Sequence, residues 1–520
     1  MNIKELILPV ILTLVTMWGI NNWLFRSADT INSCSQSSTN SFIAPVLKAE
    51  QTHKPLKKDV DFLDKHLSVA PSTELVSAPW GNIEFSSMGA VIDSIEFYRS
   101  NNRDACPIRT IFPKSLENVG QGALLLAFEN ETPLDYSLVD RHLAKDSVSL
   151  TYRAKTKVAD IRKTFIIDTQ RYKIDLRLQV TPLGQGPLEY VRVLYPSPVM
   201  SDIVSTDVIS SVLIDNDQQF KKNISNKIDM QMGWFSPSAF GSDDRYFLHA
   251  FIGGTDRITR SYYKTGVNNE LISILELPTI EKPIDITLSF YFGPKQYEGL
   301  FAVDPRLEDT LEYAGFFAPV AKLLLAILKW LESYLHNFGL AIIVFSLFIQ
   351  FLLLPLTTKR EQAMKQQQEI QKKMSYLKMK YKNDPERLNA ENAELLRQQG
   401  MGNLVGCLLP PLLQMPIFFG LRNVLSGSLE FYKAPMLWIP DLSASDPYYI
   451  LTILFVGPMI IQALKQKDSK QTGSSILMAL VFGAFTTSLA SGSLLYMTVG
   501  SLFSAAQAMV MKMIAGSRGK

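Results

Sequence analysis

The sequence predicts a multi-pass α-helical membrane protein with six spans, an inserted all-β sandwich domain and a charged helical hairpin. Apolar stretches crowd toward the two ends of the 520 residues, while the middle has the composition of soluble protein. A transmembrane helix needs about 20 apolar residues to cross about 30 Å of hydrocarbon. Six stretches fit a membrane-spanning helix: Leu6–Phe25, Phe338–Leu356, Asn403–Ser426, Tyr448–Leu464, Ile476–Ala490 and Ser493–Ile514.

The distribution of charge predicts the orientation, because cytoplasmic loops collect Lys and Arg. From Lys359 to Arg397 the chain has ten Lys or Arg against six Asp or Glu, which makes this segment cytoplasmic. With six spans, both termini then lie in the cytoplasm and the large middle region lies outside. The net charge of +3 is too small to indicate a nucleic-acid partner.

The first apolar stretch, Leu6–Phe25, is expected to remain as an uncleaved anchor. No A-x-A-like cleavage site follows it, and Trp18 and Trp23 suit the membrane interface. A cleaved signal peptide is the alternative. The polar residues that follow are typical of a flexible tether.

Alternating strands predict the sandwich. Tyr172–Val180 and Ile284–Phe292 alternate apolar and polar residues, as half-buried strands require. The expected domains are an N-terminal transmembrane anchor (1–26), a flexible linker (27–64), a β-sandwich (65–314), an interfacial amphipathic helix (315–336), a five-helix core (337–514) that includes the hairpin 357–400, and a short cytoplasmic tail (515–520).

The hairpin carries a soft apolar side within its charged surface. Its members are Met364, Met374, Tyr376 and Met379. Methionine repacks easily, so this side suits varied hydrophobic segments of a partner. Packing between the two hairpin helices explains the same residues equally well.

Metal, disulfide and catalytic signatures are weak. Cys34, Cys106 and Cys407 are too scattered for a disulfide framework or a metal site, although a Cys34–Cys106 pair stays open. No nucleophile elbow, zinc-binding helix or phosphate-binding glycine loop occurs, so no enzyme and no cofactor are predicted. Asp243-Asp244-Arg245 is expected to be a solvated turn rather than an acid–base cluster.

Several separate motifs carry a family resemblance. They are Gln414-Met415-Pro416-Ile417-Phe418 in the third span, Asp441 to Leu451 before the fourth, Ser491-Gly492 with Tyr496 in the sixth, and Gly233-Trp234, Tyr246-Phe247 and Phe292-Gly293-Pro294-Lys295 in the middle. Taken together and in their order along the chain, these motifs resemble the YidC membrane protein insertases of Gram-negative type, kin of the mitochondrial Oxa and chloroplast Albino proteins.

The resemblance implies an insertase and chaperone of the bacterial inner membrane, with the sandwich in the periplasm. Such a protein inserts and helps fold integral membrane proteins, alone or with the Sec translocon, through a hydrophilic groove open to cytoplasm and lipid. Its substrates are nascent membrane proteins. Ribosome contact stays open, but the tail 515–520 is not the long basic tail of some relatives.

The resemblance also implies the groove residues by position. They are Ser346, Gln350, Met415, Phe418 and Tyr496, with Gln507 as an added polar neighbour. Simple helix packing also explains Met415, Phe418 and Tyr496. Gln350 stands where the family usually has an arginine, so a fixed positive charge is missing there.

Two other classes of protein remain in view. A secondary transporter also needs polar groups at mid-membrane, but the inverted repeats of such proteins are not visible here. A membrane-anchored periplasmic protein that binds or processes carbohydrate would rest on the sandwich fold alone, which is weak support for a function.

Overall fold

The computed structural model describes residues 72–98, 108–111, 122–129, 131–184, 186–199, 209–214, 220–224, 233–234, 236–253, 258–265, 271–311, 318–381, 386–391, 393, 414–464 and 469–517. The described residues divide into two compact units, residues 72–311 and residues 318–517. The predicted anchor, the linker and all three cysteines lie outside the described residues.

The first unit consists of antiparallel strands in three sheets. The four-stranded sheet has the order β1 (Thr73–Ala78), β2 (Gly81–Ser86), β3 (Val91–Phe97) and β4 (Ile108–Ile111). The five-stranded sheet has the order β13 (Gly233–Trp234), β16 (Arg260–Thr265), β17 (Leu271–Glu276), β10 (Arg192–Pro196) and β5 (Leu125–Ala127). The nine-stranded sheet has the order β12 (Phe220–Ile224), β11 (Ser210–Ile214), β14 (Ala239–Asp243), β15 (Phe247–Phe251), β18 (Ile284–Pro294), β9 (Lys173–Pro182), β8 (Ala159–Asp168), β7 (Ser147–Lys155) and β6 (Ser137–Leu143).

The five-stranded sheet packs face to face on the nine-stranded sheet. Tyr195 of β10 lies edge-on to Phe290 of β18, with ring centroids 5.3 Å apart, and its hydroxyl donates to the Phe240 carbonyl at 2.7 Å. Alternate residues of β8, β9 and the first half of β18 are buried, as the sequence pattern requires. The predicted β-sandwich is therefore confirmed. Each large apolar side chain buried in it contributes roughly 1.5–3 kcal/mol.

The expectation of a solvated turn at Asp243-Asp244-Arg245 is wrong for the two carboxylates, which are both buried. Asp243 ends β14, where its Oδ2 pairs with Lys222 of β12 at 2.8 Å and with the buried Lys295 at 3.0 Å. The Asp244 carboxylate accepts hydrogen bonds from two backbone N–H groups of the β14–β15 connection. Asp243 thus has partners distant in sequence, whereas the partners of Asp244 are local.

The remaining described elements are helical. The first unit ends with α1 (Tyr297–Val303) and a 3-10 turn at Pro305–Thr310. The second unit contains α2 (Ala318–Leu335), α3 (Phe338–Lys380), α4 (residues 414–427), α5 (Ile450–Leu464), α6 (Ser469–Thr486) and α7 (Ser491–Ser517), with a 3-10 turn at Leu429–Phe431 after α4. Residues 386–391 are also helical.

Two helix boundaries differ from the apolar stretches. Helix α3 runs without a break for 43 residues, so the second predicted span and the first arm of the hairpin form one rod. Helix α6 begins before Ile476 and ends at Thr486 rather than Ala490. The Thr486 and Ser488 hydroxyls donate to carbonyls three residues back, a local bonding pattern that competes with a regular helix end.

The length and composition of the described helices were compared with what a membrane span requires. Among the described residues, each helix taken singly is too short or too polar to cross a bilayer. Pro319–Leu335 and Phe338–Leu354 would be long and apolar enough as a pair, but they are bent by 118° at the break between them.

Candidate functional site

Helix α3 has two chemically different faces. Ser346 and Gln350 lie four residues apart, hence on one face, and are 0% and 4% exposed. The Ser346 hydroxyl donates to the Ile342 carbonyl at 2.6 Å, so its hydrogen-bonding need is met within the helix. On the rest of the helix, Phe348 and Leu352 are more than half exposed. Ser346 and Gln350 thus point into the unit together with apolar neighbours such as Phe345, whereas Phe348 and Leu352 point away from it.

Three helices bring polar side chains together around a glycine of α7. A methyl group built on Gly500 would lie 2.7 Å from the Gln350 Nε2 and 3.9 Å from the Gln414 Nε2. Tyr496, one helical turn before Gly500, is 1% exposed and has its hydroxyl buried beside the Gln414 side chain. We call Gln350, Gln414, Tyr496 and Gly500 the polar layer. It contains amide and phenol groups and no charged side chain.

Contacts between α5 and α7 hold one side of the polar layer in place. The Ser501 hydroxyl donates to the Phe455 carbonyl at 3.1 Å, and the Thr498 hydroxyl, which donates to the Leu494 carbonyl of its own helix at 2.7 Å, also lies 3.2 Å from the Leu451 carbonyl. These hydroxyls flank Gly500 in the sequence of α7. They fix the rotation of α7, which decides where Tyr496 and Gly500 point.

A tied loop, residues 428–449, closes one end of the helices. The Ser491 N–H and hydroxyl both donate to the Ala444 carbonyl, at 2.6 and 2.7 Å, which joins the loop to the start of α7. The Asn337 side chain donates to the Pro435 carbonyl at 3.2 Å, which joins the loop to the start of α3. Asp446 accepts from the Leu451 N–H at 2.7 Å at the start of α5. The loop therefore ties three helix beginnings together.

The outward surface of the helical unit is apolar. Large hydrophobic side chains that are 39% to 66% exposed occur on four helices: Leu340, Val344, Phe348, Phe351 and Leu352 on α3, Ile453, Leu454, Ile461 and Leu464 on α5, Leu480 on α6, and Leu502, Met509 and Val510 on α7. A soluble protein rarely exposes a surface of this kind, because its contact with water is unfavourable. Contact with lipid removes that cost.

The other predicted site residues lie around the polar layer or beyond it. Met415, next to Gln414, is 39% exposed, and Phe418 is partly buried against Phe419 with ring centroids 5.4 Å apart. Gln507 lies two helical turns after Gly500 on α7 and is partly buried.

The hairpin residues Met364, Met374, Tyr376 and Met379 all belong to α3. Tyr376 is 61% exposed, Met379 is 73% exposed and Met374 is partly buried, while the Met364 side chain lies outside the description. Tyr376 and Met379 are far along the α3 rod from Gln350, so they belong to a separate surface.

Sequence reasoning missed two members of the polar layer. Gln414 is part of the motif that was used for Met415 and Phe418, and Gly500 follows Tyr496 by four residues. Helical spacing puts Gly500 on the face of Tyr496 and could have found it. The described ranges contain no group of three or more His, Cys, Asp and Glu side chains that could hold a metal ion.

A polar layer inside an apolar helical unit, in a chain that also carries a β-sandwich, defines a membrane-embedded protein with a large extramembrane domain. Residues 330–517 match the family described as 60Kd inner membrane protein, and residues 76–327 match the YidC periplasmic domain. The chain belongs to the YidC family of membrane protein insertases, as its motifs predicted. It is thus an inner-membrane protein with a periplasmic domain.

Similar proteins cover most of the chain. The membrane protein insertase YidC of Anaeromyxobacter dehalogenans is 30% identical over 392 residues, which cover 71% of this chain and 70% of that protein. The protein of the same name from Geotalea daltonii is 30% identical over 462 residues, which cover 81% and 83%. A solved structure described as an active YidC insertase with its first transmembrane domain resolved has a TM-score of 0.38 and 18% identity, covering 84% of this chain and 92% of that one.

Proposed function

We propose that this chain inserts nascent membrane proteins by receiving their polar segments at the polar layer while their apolar segments move along its apolar outer surface. Gln350 carries the proposal, because its buried amide lies on a helix whose other faces expose Phe348 and Leu352. A polar flank crossing hydrocarbon without partners is strongly disfavoured. The amide and phenol groups offer this flank hydrogen-bond donors and acceptors partway across the membrane. Each such hydrogen bond stabilises the flank by roughly 0.5–1.5 kcal/mol net.

No covalent chemistry is needed for this reaction. The free energy comes from the client, whose apolar segment gains on leaving water for lipid. The insertase lowers the barrier by shortening the apolar path that the polar flank must cross. The same path extends on either side of the polar layer along four further residues, Ser346, Met415, Phe418 and Gln507.

The proposed topology has six spans, with both termini and the hairpin 357–400 in the cytoplasm. Its support is the excess of Lys and Arg between Lys359 and Arg397 at the far end of the α3 rod. The tied loop lies at the opposite end of α3 and carries Glu430, Asp441 and Asp446. The path to the polar layer is then open from the cytoplasm and closed at the periplasmic end. The domain limits 65–314, 315–336 and 337–514 belong to the same proposal.

Nascent membrane proteins are the substrates. The exposed Tyr376 and Met379, with Lys378 and Lys380 beside them, offer an apolar and basic surface for the first contact with such a chain. Cooperation with the Sec translocon and contact with ribosomes are further parts of the proposal.

Site-specific photo-crosslinking tests it. A photoreactive residue is placed at Ser346, Met415 or Tyr496, and at Leu437 of the tied loop as the control, since Leu437 is 80% exposed but remote from the path. Ribosome-bound nascent chains of a membrane protein should form adducts at the first three positions and not at Leu437. Efficient insertion without adducts at any of the three would contradict the proposal.

A further inference from the structure

We infer that Gly500 is a positioning residue, whose missing side chain gives the Gln350 amide its place in the polar layer. The inference rests on the proposed function and adds a residue that sets its specificity. Gly500 lies inside α7, where glycine costs about 1 kcal/mol relative to alanine. Such a cost calls for a compensating contact.

The contact at Gly500 is with the polar end of a side chain, whereas the other described helical glycines of this unit meet apolar side-chain atoms, backbone atoms or open space. The space of the missing methyl group is occupied by the end of the Gln350 side chain, 2.7 Å from its Nε2 and 3.7 Å from its Cδ. Gly457 and Gly473 have nothing within 4 Å of the same position. Gly420 approaches Leu324 and Val320, and Gly483 approaches Val456, which are ordinary apolar helix contacts.

Contacts on both sides keep α3 and α7 from separating. Phe345 and Tyr496 have ring centroids 6.4 Å apart, and Phe351 and Phe503 have centroids 5.2 Å apart. These pairs join α3 to α7 before and after Gln350. A methyl group at position 500 is therefore accommodated by moving the Gln350 amide, not by moving the helices.

Displacing the amide changes what the polar layer offers to a client. The Gln350 amide supplies both donors and an acceptor, and it faces Gln414 across the glycine. Gly500→Ala should thus lower insertion of clients with polar translocated tails about threefold to tenfold, because neighbouring groups couple by this order. Purely apolar clients should be affected less, which a general loss of stability would not produce.

A double-mutant cycle tests the inference in the full-length chain. Insertion into proteoliposomes is measured for wild type, G500A, Gln350→Ser and the double variant. The short serine leaves room for the methyl group, so the loss caused by G500A should disappear in the Gln350→Ser background. Gly457→Ala is the matched control, since it adds the same methyl group in open space and should leave insertion unchanged.

The outcomes separate the possibilities. If G500A behaves like Gly457→Ala, or its loss persists in the Gln350→Ser background, the inference is overturned. If G500A does not accumulate in the membrane but the double variant does, a smaller side chain at position 350 compensates for the methyl group at position 500, which supports the inference. If neither accumulates, helix packing alone requires the glycine and the inference fails. Efficient insertion by the wild type with no client adducts at Ser346, Met415 or Tyr496 would instead overturn the proposed function.

Discussion

Gln350 and the buried carboxylates of the periplasmic domain show how surroundings decide the role of a single polar side chain. Gln350 supplies hydrogen-bonding groups to the polar layer without a net charge. Asp243 is buried between the ammonium groups of Lys222 and Lys295. Asp244 has backbone N–H partners, and burial raises the pKa of its carboxyl to about 7. Burying a charge without partners is costly. The helices therefore bury uncharged polar groups, and the sandwich buries these two carboxyl groups beside lysines or backbone N–H groups.

The neutral polar layer predicts weak discrimination by tail charge. A client series with tails from acidic to basic should insert with little dependence on sign in the wild type. Gln350→Arg should favour acidic tails severalfold, because opposite charges about 4 Å apart attract by about 1–4 kcal/mol at the dielectric constants of such sites. Gln350→Glu is the matched control and should reverse the trend. Equal slopes for all three proteins would rule the idea out.

Asp244 predicts a pH dependence of the stability of the sandwich. Its folded pKa of about 7 lies above the ordinary value of 3.8, so its contribution is full below about pH 4 and is lost as the pH rises through 7. Asp244→Asn keeps the acceptor for the Tyr246 and Phe247 N–H groups and removes the titration. Its free energy of unfolding should fall less than that of wild type over this range, by about 1.4 kcal/mol for each pH unit of the shift.

The measurement is urea unfolding of the detergent-solubilised chain at several pH values, followed by hydrogen exchange of β14 and β15. Asp244→Ala is the control, because it loses the two hydrogen bonds and should be less stable at every pH. Parallel pH profiles of wild type and Asp244→Asn would contradict the prediction.

At the scale of elements, three helices of the second unit are held together at their beginnings. The tied loop holds the beginnings of α3, α5 and α7, and Asp446 is its main link to α5. This carboxylate is 3% exposed and accepts from the Tyr448 and Leu451 N–H groups and from the Trp438 indole. It satisfies donors that the first turn of a helix leaves without partners.

Asp446→Ala should therefore destabilise the closed end by about 0.5–2 kcal/mol, the usual contribution of a helix cap. Asp446→Asn keeps an acceptor at the same place and should lose less. The readouts are thermal unfolding in detergent and thiol labelling of a cysteine at Ser443, which is 3% exposed in the wild type. Unchanged labelling in the alanine variant would show that the loop closes without this cap.

At the scale of the molecule, the chain combines two compact units with different chemistry. The sandwich buries an ion-pair cluster at Asp243, whereas the helical unit buries the uncharged polar layer and exposes many apolar side chains. The proposed path for clients involves the helical unit alone. The function should therefore survive loss of the other unit.

Deleting residues 72–294, which include all described strands, should leave most of the insertion activity. The rate is measured with the same clients, at matched membrane levels of both proteins, because a lower level would imitate a lower rate. Loss of insertion at equal levels would contradict the prediction and would indicate a role of the sandwich in the reaction.

Much of the fold was predictable because its signals are local. Alternation from Tyr172 to Val180 identified β9, and the apolar stretches located α5, α7 and the beginning of α3 to within a few residues. Boundaries were less predictable: α6 ends at Thr486, four residues before the end of the apolar stretch at Ala490. Span number, orientation and domain limits stay predictions.

The sequence by itself determined the family, the sandwich and the residues Ser346, Gln350 and Tyr496 as candidates, because motif order, strand period and helical spacing are written along the chain. Only the tertiary structure decided that Gln350 meets Gly500 and Gln414, and that Asp243 is buried against Lys222 and Lys295. The physical reason is that burial and contact depend on elements far apart in sequence, and a single residue type at one position does not reveal which surface will face it.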